Sequence, residues 1–190
     1  MRTHPAGAHE LVILGLGNVL CGDDSVGPAL IASLSSQYVF SESVAVMDGG
    51  TLGLSLVPHI EDAPRVILVD AITTGAEPGS LLRLEGSEVA AVLRGGLSCH
   101  QLGVVELIEV ACLRGAARER LLLFGIEPSC TELGAPRSAR VEAAMPALTA
   151  AVLAEAARLG HIGVARELST QQRSPELAGP VPREQLRPCD

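Results

Sequence analysis

The sequence predicts an α/β fold: a twisted, mostly parallel central sheet of about five strands, flanked by helices on both faces. Three observations predict it. Residues 11–14, 65–69 and 121–125 are short, continuous apolar runs, as expected of strands buried on both faces. Stretches with helical spacing of apolar residues lie between them. Polar residues cluster where the apolar runs end, as ligand-binding residues do at the carboxyl ends of parallel strands.

Each element has its own signal. Residues 1–9 read as a flexible arm, 10–160 as a single α/β domain, and 161–190 as a disordered tail rich in Pro, Gln, Ser and Arg. The strand at 11–14 ends in the turn Gly15-Leu16-Gly17-Asn18, and residues 27–37 follow as a helix with Pro28 in its first turn. Residues 44–47 form a second strand, closed by Asp48-Gly49-Gly50, and 52–60 a short helix. The third strand, 65–69, runs into Asp70. The Pro78-Gly79 turn introduces a fourth at 81–84. Apolar residues at 104, 105, 108, 111 and 112 give 101–113 a helical period. A fifth strand at 121–125 precedes a long Ala/Leu helix at 138–159, where Pro146 predicts a kink.

Composition removes several function classes. The 190 residues hold 14 basic and 22 acidic side chains, a net charge of −8, which disfavours phosphate backbones and anionic membranes. No Lys is present, so neither a Schiff base nor a P-loop can be built. Aromatics are limited to Tyr38, Phe40 and Phe124, too few for base stacking. Five scattered cysteines without a Cys-x-x-Cys pair argue for a reducing, cytoplasmic setting rather than a disulfide framework or zinc ribbon. The apolar stretch before Cys21 does not read as a leader: Glu10 precedes it, Asn18 interrupts it, and Leu20 replaces the small residue that cleavage requires.

Gly15 and Gly17 begin a dinucleotide fingerprint, but Leu20 replaces its third glycine, and Asp23 and Asp24 would repel a pyrophosphate. The acids suggest other chemistry. Asp24 and Asp70 are 46 positions apart, yet the topology places both at one sheet edge, and His100 heads the helix near Gln101. Two carboxylates and an imidazole make a mixed oxygen and nitrogen site for a divalent first-row metal, with positions open to water or substrate. Taken singly, Asp24 could cap a helix and His100 could be a packing or helix-start residue. Taken together, the three favour a metal site. Ser25 lacks the nucleophile elbow of a serine hydrolase, and no His-Glu-x-x-His is present.

Five segments occur in order: Gly15-Leu16-Gly17-Asn18 with Asp23-Asp24 and Gly27; Asp48-Gly49-Gly50-Thr51; Val69-Asp70-Ala71; His100-Gln101-Leu102-Gly103; and Gly125-Ile126-Glu127-Pro128. Together they resemble the hydrogenase maturation endopeptidases, which process the large subunits of nickel–iron hydrogenases. The resemblance spans residues 11–159. It implies an endopeptidase that removes the C-terminal extension of a nickel-loaded large-subunit precursor. It also implies that Asp24, Asp70 and His100 are the catalytic and metal-contacting residues and that Asp48, Gly49 and Gly50 engage the substrate. The nickel belongs to the precursor, and other divalent metals are compatible with the site. Ser25, Cys99 and the long tail depart from the family pattern without removing a ligand. The alternatives are a non-proteolytic nickel-binding accessory protein, a nucleotide-binding α/β module, and a related endopeptidase with a different substrate.

Overall fold

The computed structural model describes residues 9–89, 91, 99–114 and 120–166, with the backbone alone over 99–103. Its centre is a five-stranded sheet in the order β3-β1-β4-β6-β5. Strands β1 (Leu11–Leu16), β3 (Val44–Gly50), β4 (Arg65–Ala71) and β6 (Leu121–Ile126) are parallel, and β5 (Leu81–Glu85) pairs antiparallel with β6. The fold is thus the α/β sandwich that the apolar runs predict. All six residues of β1 and of β6 are buried, as an inner parallel strand requires. β5 alternates in exposure because it forms the sheet's edge.

Side-chain alternation sends each strand into two cores. Val12, Leu14, Val66, Leu68, Leu121 and Leu123 meet α2 (Val57–Glu61) and α3 (Cys99–Leu113) on one face. Leu11, Ile13, Ile67, Val69, Leu122 and Phe124 meet α1 (Val26–Gln37) and α4 (Ala139–Arg158) on the other. The predicted helix at 52–60 is divided into a 3-10 turn at Gly53–Leu56 and the five-residue α2. Gly53, at φ +52°, starts that turn in a backbone region other residues avoid. Helix α4 runs through Pro146, and Ser138 caps its start by accepting the Val141 N–H. Glu155 of α4 takes an ion pair from Arg83 of β5 at 3.4 Å, tying helix to sheet edge.

Residues 161–166, which the sequence reading assigns to the tail, fold back onto the domain. The short strand β7 (Val164–Ala165) pairs with β2 (Tyr38–Val39) at the end of α1. Gly163 lies against Phe40, and the Arg166 N–H bonds to the Gln37 carbonyl at 2.7 Å. The arm up to residue 8 and the tail from 167 lie outside the described residues.

The close approach of α1 to the sheet depends on Gly27. A Cβ there would lie 2.2 Å from the Leu16 carbonyl oxygen and 2.6 Å from that of Val69. Both are backbone atoms of inner strands and cannot swing aside. Gly27→Ala is expected to destabilise the protein by about 3 kcal/mol or more, measured by urea denaturation. An unchanged midpoint would mean that α1 can slide off β1 at little cost. Ending the chain at Gly160 is expected to lower Tm by about 5 °C relative to ending it at Arg166, because Phe40 loses its cover.

Candidate active site

The site lies at the carboxyl edge of the sheet, and β1 leads directly into it. Gly17, at φ +122°, turns the chain so tightly that a Cβ would fall 1.9 Å from the Asp24 carbonyl oxygen. Only glycine lets the strand end and the acidic turn come so close. That acidic turn is a 3-10 helix, Gly22–Ser25, fully buried ahead of α1. Asp24 is 3% exposed, and its Oδ2 accepts the Asn18 N–H at 2.7 Å. The carboxylate therefore points back to the loop after β1, and Ser25 occupies the helix-cap position.

Asp70 is the penultimate residue of β4, two strands from the sheet edge formed by β3. It falls between Leu68 and Ile72 in the alternation, on the face that α3 covers. It is 1% exposed, and its Oδ1 accepts the Ala71 N–H at 2.8 Å. Burial first, and then the charge of Asp24, push its carboxyl from 3.8 up to about 8, against the opposing bond from Ala71. The structure thus brings Asp24 and Asp70 within electrostatic reach of each other.

Asp48 is exposed near the end of β3, and its Oδ1 accepts the Gly50 N–H at 2.9 Å. The Gly17 N–H bonds to the Gly50 carbonyl at 3.0 Å, so the Asp48-Gly49-Gly50 segment lies beside the Gly17-Asn18 loop. Gly49 is buried, and a Cβ there would meet Leu14 and Leu56 at 2.9 Å. His100 sits in the first turn of α3, and its side chain lies outside the described residues. The direction of α3 is nevertheless clear. Arg114, just after its last turn, pairs with Glu61 near the start of β4, and β6 begins soon afterwards. Over 15 residues, about 22 Å, the helix therefore spans the sheet from its carboxyl edge to its amino edge, and His100 is at the carboxyl end.

Two further acids were not assigned a role by sequence reasoning. Asp23 is completely buried and accepts backbone N–H groups from Ser129 at 2.8 Å, Cys130 at 3.0 Å and Ser138 at 2.6 Å. Burial raises its pKa, but the bonds from Ser138, Cys130 and Ser129 outweigh that and hold it below the usual carboxylate range. Glu127, after β6, takes the Thr74 N–H at 2.7 Å, the Thr74 hydroxyl at 2.6 Å and the Gly75 N–H at 3.2 Å. Burial again raises its pKa and the Thr74 and Gly75 bonds outweigh it. Glu127 thereby fixes the loop that leaves β4 just after Asp70. The groove of about 460 Å³ between α1 and α4 has Ser33, Tyr38, Arg137 and Thr149 in its lining, but neither Asp24 nor Asp70.

The raised Asp70 pKa gives a pH dependence with a definite sign. Between 3.8 and about 8 the folded chain keeps a proton that the unfolded chain has lost. Stability from this group is complete at low pH and is lost as pH rises toward 8. In metal-free protein, the stability of the wild type relative to Asp70→Asn should fall between pH 5 and pH 8, by at most about 1.4 kcal/mol per unit. Urea midpoints at several pH values in chelator measure it, and a flat difference would mean that Asp70 is ionised throughout.

A family model described as hydrogenase maturation protease matches residues 28–155. The hydrogenase expression/formation protein HupD of Rhizobium leguminosarum bv. viciae is 35% identical over 145 residues, covering 75% of this chain and 72% of the relative. The hydrogenase 2 maturation protease of Escherichia coli K12 is 29% identical over 159 residues, covering 83% and 97%. Among solved structures, the hydrogenase maturating endopeptidase HybD of Escherichia coli superposes with a TM-score of 0.78 at 28% identity, covering 83% of this chain and 98% of that one. With a matching family model across most of the domain and the same sheet and helix arrangement, the chain belongs to the hydrogenase maturation protease family.

Proposed function

We propose that this protein is an endopeptidase that removes the C-terminal extension of a nickel-loaded precursor of a nickel–iron hydrogenase large subunit. The observation that carries the reading is the pair of buried carboxylates at the carboxyl edge. Two like charges in a dry site repel unless a proton or a cation lies between them. Asp70 keeps a proton in the metal-free protein, and its release accompanies the approach of a divalent ion.

In this reading Asp24, Asp70 and His100 engage the nickel carried by the substrate. Two carboxylates and an imidazole suit a borderline cation without forming a closed cage. The nickel supplies the recognition element, and a cation so held also lowers the pKa of a neighbouring water. The Asn18 N–H orients the Asp24 carboxylate, and the Ala71 N–H orients that of Asp70. In this reading the Asp48-Gly49-Gly50 segment, which lies beside the Gly17-Asn18 loop and exposes Asp48, receives an extended peptide. The isolated protein is expected to hold little or no stoichiometric metal.

We assign the activity to the cytoplasm, in keeping with the free thiols of Cys21 and Cys130. Among the described residues, no helix is long and apolar enough to cross a membrane. Intact mass of the nickel-loaded precursor, incubated with this protein, tests the reading. Loss of a C-terminal peptide is expected, with the rate falling by about a hundredfold or more in Asp70→Asn. A nickel-free precursor should stay uncut. An intact nickel-loaded precursor would sink the peptidase reading.

A further inference from the structure

Asp23 and Asp24 are adjacent, buried and chemically identical, yet their surroundings differ. Asp24 reaches the loop after β1. Asp23 points the other way, into the segment between β6 and α4. Its Oδ2 accepts the Ser129 and Cys130 N–H groups, and its Oδ1 accepts that of Ser138, the cap residue of α4. The backbone adds to this: the Asp23 N–H bonds to the Cys130 carbonyl at 2.8 Å, and the Gly134 N–H bonds to the Leu20 carbonyl at 2.7 Å. Gly22 lies so near the Cys130 carbonyl that a Cβ would be 2.4 Å from it. Ser25 donates to the Gly22 carbonyl and accepts from Arg137 at 3.3 Å. The acidic turn is therefore attached on one side to the β6–α4 segment and presents Asp24 on the other.

We propose that Asp23 is a positioning residue, whose buried carboxylate clamps the 22–25 turn to residues 129–138 and so fixes Asp24 at the site. The proposal rests on the reading of Asp24 as a site residue. A charged acceptor shared by three backbone donors is a stronger tie than a neutral one. Replacing it by an amide turns one oxygen into a donor that faces another N–H. The turn can then pivot, and a displacement of about 1 Å at a site group costs about a hundredfold in rate.

The test uses the full chain with Asp23→Asn and two readouts. The first is hydrogen exchange at the Asn18 amide, which the Asp24 carboxylate holds whether or not the protein cuts anything. It should exchange about tenfold faster in Asp23→Asn, with the β1 amides of Ile13 and Leu14 unchanged. The second is cleavage of the nickel-loaded precursor, where kcat should fall by about a hundredfold with KM within about threefold of wild type. Val152→Ala, a core cavity in α4, controls for stability and should retain kcat. If Asp23→Asn does not fold, Ser138→Pro removes one clamping N–H at a φ of −67° that proline accepts, with Ser138→Ala as its partner lacking only the cap hydroxyl. Faster Asn18 exchange in the proline variant alone supports the clamp. Unchanged Asn18 exchange in these variants overturns it, as does a kcat loss shared equally by Val152→Ala. If the unmodified protein leaves the precursor intact, the peptidase reading falls and the exchange result alone decides the role of Asp23.

Discussion

Taking a carboxylate out of water is costly, and taking two out side by side is costlier still. Asp24 and Asp70 are both in that position at the carboxyl edge of the sheet. Much of the surrounding architecture serves to hold them there. The glycine at 17 allows the acidic turn to press against the end of β1. The glycine at 27 lets α1 follow that turn straight down onto β1 and β4. Backbone N–H groups from Asn18 and Ala71 help orient the two carboxylates. The proton that Asp70 keeps relieves the repulsion in the native state, and a cation can take its place.

Much of this was legible in the sequence. The inner strands announced themselves as uninterrupted apolar runs, because a parallel strand covered on both faces has no polar side to display. The convergence of Asp24 and Asp70 followed from strand-end topology, despite their separation in the chain. The short pair β2 and β7 was not legible: two-residue strands carry no period, and their position depends on where α1 and α4 end. Nor was the division of the second helix, since Gly53 could be tolerated within a helix and only its backbone angle shows that it starts the turn. The same holds for Asp23 and Asp24. Neighbouring acids look alike in a sequence, and only the fold shows that one faces backbone donors from a distant segment while the other faces the site.

Glu127 adds a constraint on the opposite side. Its carboxylate secures Thr74 and Gly75, in the segment that leaves β4 just beyond Asp70. Its own backbone is sewn to the same segment: the Glu127 N–H bonds to the Ser80 carbonyl at 2.9 Å, and the Gly79 N–H bonds to the Glu127 carbonyl at 2.8 Å. Donors decide how such buried acids titrate. Glu127 and Asp23 have several each and sit low in pKa, whereas Asp70 is pushed up.

The stretch from Glu127 to Cys130 therefore touches both halves of the site. One end grips the loop behind Asp70, and the other receives the carboxylate beside Asp24. The two site acids, which arrive from different strands and different cores, share a single frame of reference four residues long. That short bridge braces their separation from behind, while the pairing of β1 with β4 fixes it from below. The spacing between the acids is thus held twice, like the jaws of a caliper fixed to a bar and locked by a brace.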